Sequence, residues 1–122
     1  MNVGSCKLIA PTTCKSNDSV QNVARIFKQT ESRHIIVTNN DKPVGIISPL
    51  DIVTRGVAEG KNLTTATASE IMTTPVETAE AETEIERVYV RMIQKNILAM
   101  PITKEGKIIG ILPFSSSLAK EK

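Results

Sequence analysis

The feature that most constrains the fold is an internal repeat: the chain aligns with itself at an offset of 65 residues without a gap. Residues 38–47 fall on residues 103–112, so that turn residues meet turn residues and apolar positions meet apolar positions. Earlier in the two halves, Val23 falls on Val88. Self-similarity at a fixed period indicates a supersecondary unit that occurs more than once. The sequence therefore predicts two copies of one small motif.

The size of each half indicates how the two copies become stable. The chain has 122 residues, so a half contains about 60 residues and buries too little surface to be comfortably stable alone. We therefore expect the halves to pack their sheets on each other about a pseudo-twofold axis, with a cleft on either side. Because 40% of the residues are hydrophobic and only 2% are aromatic, we expect an aliphatic core.

Each half reads as a short strand, a helix, a β-hairpin and a second helix. In the first half, Asp18 precedes an apolar stripe with the spacing of one buried helix face and is predicted to cap that helix. In the second half, Thr83 has the same place before an equivalent stripe, and Glu86 completes a predicted capping box with it. The two stripes consist of Val20, Val23, Ala24 and Phe27 and of Ile85, Val88, Tyr89 and Met92.

Each predicted hairpin consists of two β-rich runs around a turn. In the first half, runs 34–38 and 43–48 flank the turn residues 39–41. In the second half, the runs are 100–103 and 107–112.

The repeat also predicts where the chain divides. We expect a first repeat at 1–60, a polar linker at 61–70 and a second repeat at 71–122. The second helix of the first repeat is expected to run from Ser48 toward Gly60, and its counterpart to run through 115–120.

Charge and cysteine content exclude several classes of protein. The net charge of +2 is too small to indicate a surface that binds nucleic acid. No apolar run approaches the roughly 20 residues of a membrane span, and the first residues do not resemble a signal peptide. Cys6, Cys14 and His34 are too few for a four-ligand zinc site. The sequence therefore predicts a cytoplasmic protein with free thiols.

Two motifs resemble those of the CBS-domain family. Residues 71–76, Ile-Met-Thr-Thr-Pro-Val, resemble the entry motif of a CBS domain, and residues 45–53 resemble the Gly-apolar-apolar-Ser/Thr-x-x-Asp signature of that family. From about residue 3 to 119, the chain resembles a stand-alone tandem CBS pair, a Bateman module. The resemblance implies an α/β fold of two βαββα-type CBS repeats packed about a pseudo-twofold axis.

The same resemblance implies a regulatory function without catalysis. Proteins of this kind bind an adenosine nucleotide such as AMP, ADP or ATP in the cleft between repeats, assemble as disc-like homodimers and signal to a regulated partner protein. No cofactor is expected to be required. The sequence itself contains no nucleophile–base pair that would indicate an enzyme.

The strongest candidate site is Ser48-Pro49-Leu50-Asp51, where a strand meets a helix. Helix starts favour phosphate, so the Ser48 hydroxyl can donate to a phosphate oxygen, while Asp51 can accept from both hydroxyls of a ribose. The family resemblance implies the same two roles. The alternative is that Ser48, Pro49 and Asp51 only form a good start for any helix.

The resemblance implies further ligand contacts in the first half. Ile9, Ala10 and Pro11 are expected to hold the adenine base, although Leu8 and Ile9 alternatively belong to the core. Arg33 and His34 are expected to face ligand phosphates, because Arg binds phosphate with two parallel hydrogen bonds. A lone histidine is alternatively a surface residue.

The second copy departs from the signature. Pro113 stands where the first copy has Ser48, Ser116 where it has Asp51, and Ala99 where it has a histidine. We therefore predict one competent site per chain, with residues 74–76 lining at most a vestigial second pocket. The alternatives are a ligand-free protein-interaction scaffold or regulatory subunit, and a binder of S-adenosylmethionine or NAD.

Overall fold

The computed structural model describes residues 1–114, in which two compact units are formed. The contiguous unit is Thr12–Val76, and the split unit combines Met1–Pro11 with the chain from Glu77 onward. The elements are a 3₁₀ turn Val3–Ser5, β1 Thr13–Lys15, α1 Val20–Thr30, β2 Ile35–Asn39, β3 Lys42–Ile47, α2 Pro49–Asp51, a π-helical turn Ile52–Val57, α3 Ala68–Ile71, β4 Ala79–Glu80, α4 Ile85–Gln94, β5 Ala99–Lys104 and β6 Lys107–Pro113.

The contiguous unit has a three-stranded sheet in the order β1-β2-β3. β1 is parallel to β2, and β3 returns antiparallel to β2 as the predicted hairpin. The turn between β2 and β3 contains Asn40 and Asp41, both with positive φ, which these residue types tolerate best. The aliphatic core beneath the sheet contains Val20, Val23, Ile35, Val37, Ile47, Ala66, Ala68 and Ile71, together with Cys14.

The split unit repeats this arrangement with the sheet order β4-β5-β6. β4 is parallel to β5, and β5 and β6 form the second predicted hairpin. Its core contains Val3, Ala79, Ala81, Val88, Met92, Met100, Ile102 and Leu112. Two three-stranded sheets with helices in two similar units confirm the predicted α/β class and the repeat.

The spatial grouping differs from the sequence ranges 1–60, 61–70 and 71–122. The first residues belong to the split unit because their backbone bonds to it: Val3 N–H donates to Thr83 O at 2.8 Å. Residues 61–70 belong to the contiguous unit, where Ala66 is buried. The sequence ranges therefore stay a prediction about the repeat along the chain.

In each unit, a residue outside the hairpin pairs with the second hairpin strand through two backbone hydrogen bonds. In the contiguous unit, Ile46 and Thr73 exchange two backbone hydrogen bonds, of 3.1 and 2.8 Å. In the split unit, Ile9 and Ile111 exchange two, each of 2.9 Å. The segment before each bridge residue therefore packs against a glycine of the hairpin: Met72 covers Gly45, and Leu8 covers Gly110.

The predicted helix stripes are confirmed, whereas the predicted caps are wrong. Val20, Val23, Val88 and Met92 are fully buried or nearly so. The cap of α1 is Ser19, whose hydroxyl accepts from Asn22 N–H at 3.0 Å. Asp18 instead accepts from Lys15 N–H at 2.8 Å, which closes the turn before the helix.

The cap of α4 is also one residue later than predicted. Glu84 is the N-cap and makes no side-chain cap hydrogen bond, so Thr83 and Glu86 do not form the predicted capping box. The Thr83 backbone instead takes part in the pairing with the N-terminal segment, because Thr83 O accepts from Val3 N–H.

The helix after the first hairpin begins at Pro49 as predicted but changes its geometry after one turn. From Ile52 to Val57 it is π-helical, and Ala58 N–H reaches back five residues to Val53 O at 2.8 Å. The predicted counterpart at 115–120 lies outside the described residues. Within residues 1–114, no helix has the length and apolar character that a membrane crossing requires.

Candidate functional site

Ser48 and Asp51 form a hydrogen-bonded capping box where β3 meets α2. Ser48 N–H donates to Asp51 Oδ2 at 2.8 Å, and Asp51 N–H donates to Ser48 Oγ at 3.3 Å. Pro49 is the first residue of α2, where its missing N–H leaves no donor unsatisfied. The structure thus brings three of the predicted site residues together at one helix start.

The same contacts determine which atoms remain for a ligand. A serine hydroxyl has one donor proton, and that of Ser48 points to Asp51 Oδ2 at 3.2 Å. A bond from Ser48 to a phosphate therefore requires its hydroxyl to rotate. The other carboxylate oxygen, Asp51 Oδ1, faces Arg55 Nε at 3.8 Å, beyond hydrogen-bond length. It can accept a hydrogen bond from a sugar hydroxyl.

Arg55 is a residue of this site that the sequence reasoning missed. Its Nη1 donates to Met72 O at 2.8 Å and to Ile71 O at 3.4 Å, while its Nε pairs with Asp51. The side chain of Arg55 is 47% exposed and that of Asp51 is 17% exposed. An acid and a base four residues apart on a helix were the sequence signal for this pair.

Residues 73–76 lie closer to this site in the contiguous unit than the sequence indicated. Thr73 bonds to Ile46, which is two residues before Ser48. Thr73, Thr74 and Pro75 are exposed, and Val76 is half-buried. Thr73 therefore lies against β3 two residues before the capping box, and the chain from Thr73 to Pro75 is open to solvent.

The predicted base-binding residues belong to the other unit. Ile9 bonds to Ile111 of β6 and is 53% exposed, which rules out the alternative that it is core. Ala10 is exposed and Pro11 is half-buried. Ile9 pairs with β6 in the way that Thr73 pairs with β3, and Ala10 and Pro11 follow it in the same unit.

Arg33 and His34 lie between the end of α1 and the start of β2, and both are exposed. The exposure of His34 agrees with the alternative that it is a surface residue. The structure gives neither residue a hydrogen bond to Ser48 or Asp51. Their role as phosphate ligands stays a prediction.

The second copy ends differently, as its sequence indicates. Ala99 is the first residue of β5, and Pro113 is the last residue of β6. Ser116 lies outside the described residues, so the comparison of the two signature motifs stops at Pro113.

The two thiols differ in burial. Burial, with a smaller effect of Asp18, raises the pKa of the Cys14 thiol to about 12. Cys6 is half-buried. In the part of the chain up to residue 114, no three His, Cys, Asp or Glu side chains are grouped so that they can hold a metal ion.

Comparison with known families gives two matches along this chain. The sequence model of the CBS domain matches residues 8–57 and residues 68–115. Together these segments include both hairpins, the capping box and the 73–76 segment.

Curated relatives share the sequence over most of this chain. Uncharacterized protein MK0525 of Methanopyrus kandleri is 38% identical over 88 residues, which are 71% of this chain and 45% of that protein. L-aspartate semialdehyde sulfurtransferase of Methanocaldococcus jannaschii is 33% identical over 104 residues, which are 84% of this chain and 19% of that protein. The chain thus spans less than half the length of these relatives.

Solved structures share the fold over the whole chain. Hypoxic Response Protein I, solved with two coordinated zinc ions, superposes with a TM-score of 0.83 at 19% identity, covering 100% of this chain and 99% of that one. CBS domain protein PAE2072 from Pyrobaculum aerophilum, complexed with AMP, gives a TM-score of 0.75 at 20% identity, covering 98% and 99%. At these identities the likeness establishes the fold.

Proposed function

Because the chain belongs to the CBS-domain family, we propose that it reversibly binds an adenosine phosphate and that this binding is a regulatory signal to a partner protein. The observation that carries the proposal is the hydrogen bonding of the Asp51 carboxylate. Its carboxylate is fixed by Ser48 through Oδ2, while Oδ1 has, among residues 1–114, one ion pair that is longer than a hydrogen bond. An acceptor held in place and still available suits the hydroxyl donors of a ribose.

The proposed roles follow from the geometry of each group. Asp51 accepts from the ribose, and Ser48 donates to a phosphate after its hydroxyl turns away from Asp51. The AMP complex of the structurally similar PAE2072 supports an adenosine ligand. No bond is made or broken in this function, which is binding alone.

The other predicted ligand residues remain part of the proposal. Ile9, Ala10 and Pro11 are proposed to contact the base, and Arg33 and His34 the phosphates. The exposed 73–76 segment is added to them because it follows Met72, whose carbonyl Arg55 connects to Asp51 in the contiguous unit. Assembly as a homodimer and a cytoplasmic location stay predictions.

A second candidate function is a scaffold that binds a protein and no nucleotide. The completed capping box favours it, because Ser48 and Asp51 satisfy each other without a ligand. A titration with AMP, ADP, ATP, NAD and S-adenosylmethionine, followed by thermal unfolding and calorimetry, separates the two.

A ligand at 100 times its Kd raises the free energy of unfolding by about 2.7 kcal/mol. We expect an increase in melting temperature with at least one adenosine phosphate. The absence of any shift at millimolar concentrations of all five compounds would contradict nucleotide binding and leave the scaffold. A shift with NAD or S-adenosylmethionine alone would assign the site to that ligand.

A further inference from the structure

Arg55 touches both the candidate ligand-binding acid and the chain segment that runs past it. Its Nε pairs with Asp51 Oδ1 at 3.8 Å, and its Nη1 donates to Met72 O at 2.8 Å and Ile71 O at 3.4 Å. A guanidinium has five N–H donors in a rigid fork, so one side chain can serve both partners at once.

The two carbonyls belong to a helix end that needs a donor. α3 ends at Ile71, with Met72 as its C-cap, and the last carbonyls of a helix have no partner within it. Directly after this end, Met72 packs on Gly45 and Thr73 bonds to Ile46. Arg55 therefore holds the beginning of the segment that continues through Val76.

The backbone geometry around Arg55 is unusual as well. The helix widens into a π-turn from Ile52 to Val57, with Arg55 inside it. Single π-turns within helices occur frequently at functional sites. A π-turn places each side chain at a different angle from that of a continued α-helix, and here Arg55 spans from Asp51 to the end of α3.

We propose that Arg55 is a positioning residue that couples the Asp51 carboxylate to residues 72–76, so that a ligand held by Asp51 orders that segment. The inference rests on the proposed nucleotide binding and names its structural consequence. Signalling by a bound ligand requires a difference in its interaction with two arrangements of the protein. The Arg55 contacts are a physical connection through which such a difference reaches the backbone after α3.

The chain provides a matched control for this proposal. A second capping box joins Thr67 and Glu70, with N–H to carboxylate at 2.8 Å and hydroxyl to carboxylate at 3.2 Å, equal to the Ser48–Asp51 distances. Glu70 pairs with Lys61 at 3.6 Å as Asp51 pairs with Arg55. Lys61→Gln therefore removes an equivalent ion pair without touching Asp51.

The test combines calorimetry with hydrogen exchange of the backbone amides of Met72, Thr73, Thr74 and Val76, since Pro75 has none. In the wild type, saturating AMP is expected to slow this exchange. Arg55→Gln is expected to weaken AMP binding by about threefold, as for loss of a half-exposed ion pair, and to abolish the slowing at saturating AMP. Arg55→Lys keeps the positive charge but lacks the forked guanidinium, so we expect AMP affinity like that of the wild type without the slowing of exchange. Lys61→Gln is expected to behave as the wild type in both measurements.

Slowing in Arg55→Gln equal to that of the wild type would overturn the proposal. If the wild type binds no nucleotide, the proposed function fails by itself, and the coupling is tested without ligand. In that case Asp51→Asn and Arg55→Gln must each accelerate exchange at Thr73, and the double variant must not exceed Arg55→Gln alone. Unchanged exchange at Thr73 in Asp51→Asn would then contradict the coupling.

Discussion

Asp51 accepts two hydrogen bonds from Ser48 through one oxygen, Oδ2, from the backbone N–H at 2.8 Å and from the hydroxyl at 3.2 Å. The start of α2 is therefore held by the same carboxylate that is proposed to receive the ribose. A substitution at Asp51 therefore affects both the stability of the α2 start and the proposed ribose contact. Control variants are needed to separate the two effects.

Asp51→Ala is expected to weaken adenosine phosphate binding by about tenfold or more, because charge-assisted hydrogen bonds to the ribose are lost. It is also expected to lower the free energy of unfolding by about 1 kcal/mol through loss of the cap. Calorimetric titration and denaturant unfolding measure the two effects. Glu70→Ala removes the corresponding acid of the second capping box and should reproduce only the stability loss. Equal affinity of Asp51→Ala and the wild type would remove Asp51 from the site.

The two hairpin glycines provide a test of packing. A Cβ added at Gly110 would lie 2.6 Å from Leu8 Cβ, and one added at Gly45 would lie 2.8 Å from Met72 Cγ. We expect each Gly→Ala substitution to destabilise by about 1–3 kcal/mol, as overpacking does. Gly110→Ala should be the more severe, because a Cβ close to the backbone moves less readily than the flexible end of a methionine.

Thermal unfolding of both variants checks this order, and Leu8→Gly in the Gly110→Ala background should recover part of the loss, because it removes the Leu8 Cβ that the new methyl group meets. Equal melting temperatures for Gly110→Ala and the wild type would show that Leu8 does not pack closely on that strand.

The sequence predicted the features that are local and periodic. The two hairpins and the stripes of α1 and α4 were found because their periods of two and 3.6 residues persist over many positions. The cap of α1 was misplaced by one residue because Asp18 and Ser19 both have capping side chains. The contact of Asp18 with Lys15 N–H, which decides between them, has no separate signal in the sequence.

Other features were missed because they depend on contacts between distant residues. The bridge of Ile9 to Ile111 assigns the first residues to the split unit, and nothing local marks it. A signal existed nevertheless: Leu8–Ile9 and Met72–Thr73 are 64 residues apart, close to the hairpin offset of 65. The spacing of Thr67 and Glu70 also matches a capping box. Because α3 has only four residues, it shows no apolar periodicity, and the sequence predicts a linker at 61–70 instead.

Glu77 predicts an acid-sensitive contribution to stability. Its hydrogen bond with Arg91, and more weakly with Lys95, lowers the pKa of Glu77 below the ordinary value of 4.5. A group whose pKa is lower in the folded state stabilises the protein above its unfolded pKa, and this stability is lost as the pH falls through the folded pKa.

Glu77→Gln is therefore expected to cost about 0.5–1 kcal/mol at pH 7, since the pair is partly exposed, and progressively less as the pH falls through the folded pKa of Glu77. Urea unfolding between pH 7 and pH 3 measures the difference, with Glu105→Gln in the exposed β5–β6 turn as the control. A constant difference between Glu77→Gln and the wild type at all pH values would contradict this origin.

The two cysteines are expected to differ in reactivity. Only a thiolate reacts rapidly with iodoacetamide, and burial with the nearby Asp18 raises the pKa of Cys14 to about 12. Cys6 is half-buried and should be alkylated first at pH 8, giving a single adduct by mass spectrometry. In Cys6→Ser, the folded protein should stay unmodified until it is unfolded. Rapid alkylation of that variant would show that β1 opens in the native state.

The division of the split unit has a consequence for synthesis on the ribosome. The contiguous unit is complete once Val76 has left the exit tunnel, and the core residues found for it within the described range 1–114 all belong to Thr12–Val76. Val3 emerges long before Ala81, Val88 and Met100, the residues with which it shares a core. The apolar segment around Val3 therefore stays without its core partners until the strands of the split unit have been translated, and it is the part of this unit that would need a chaperone longest.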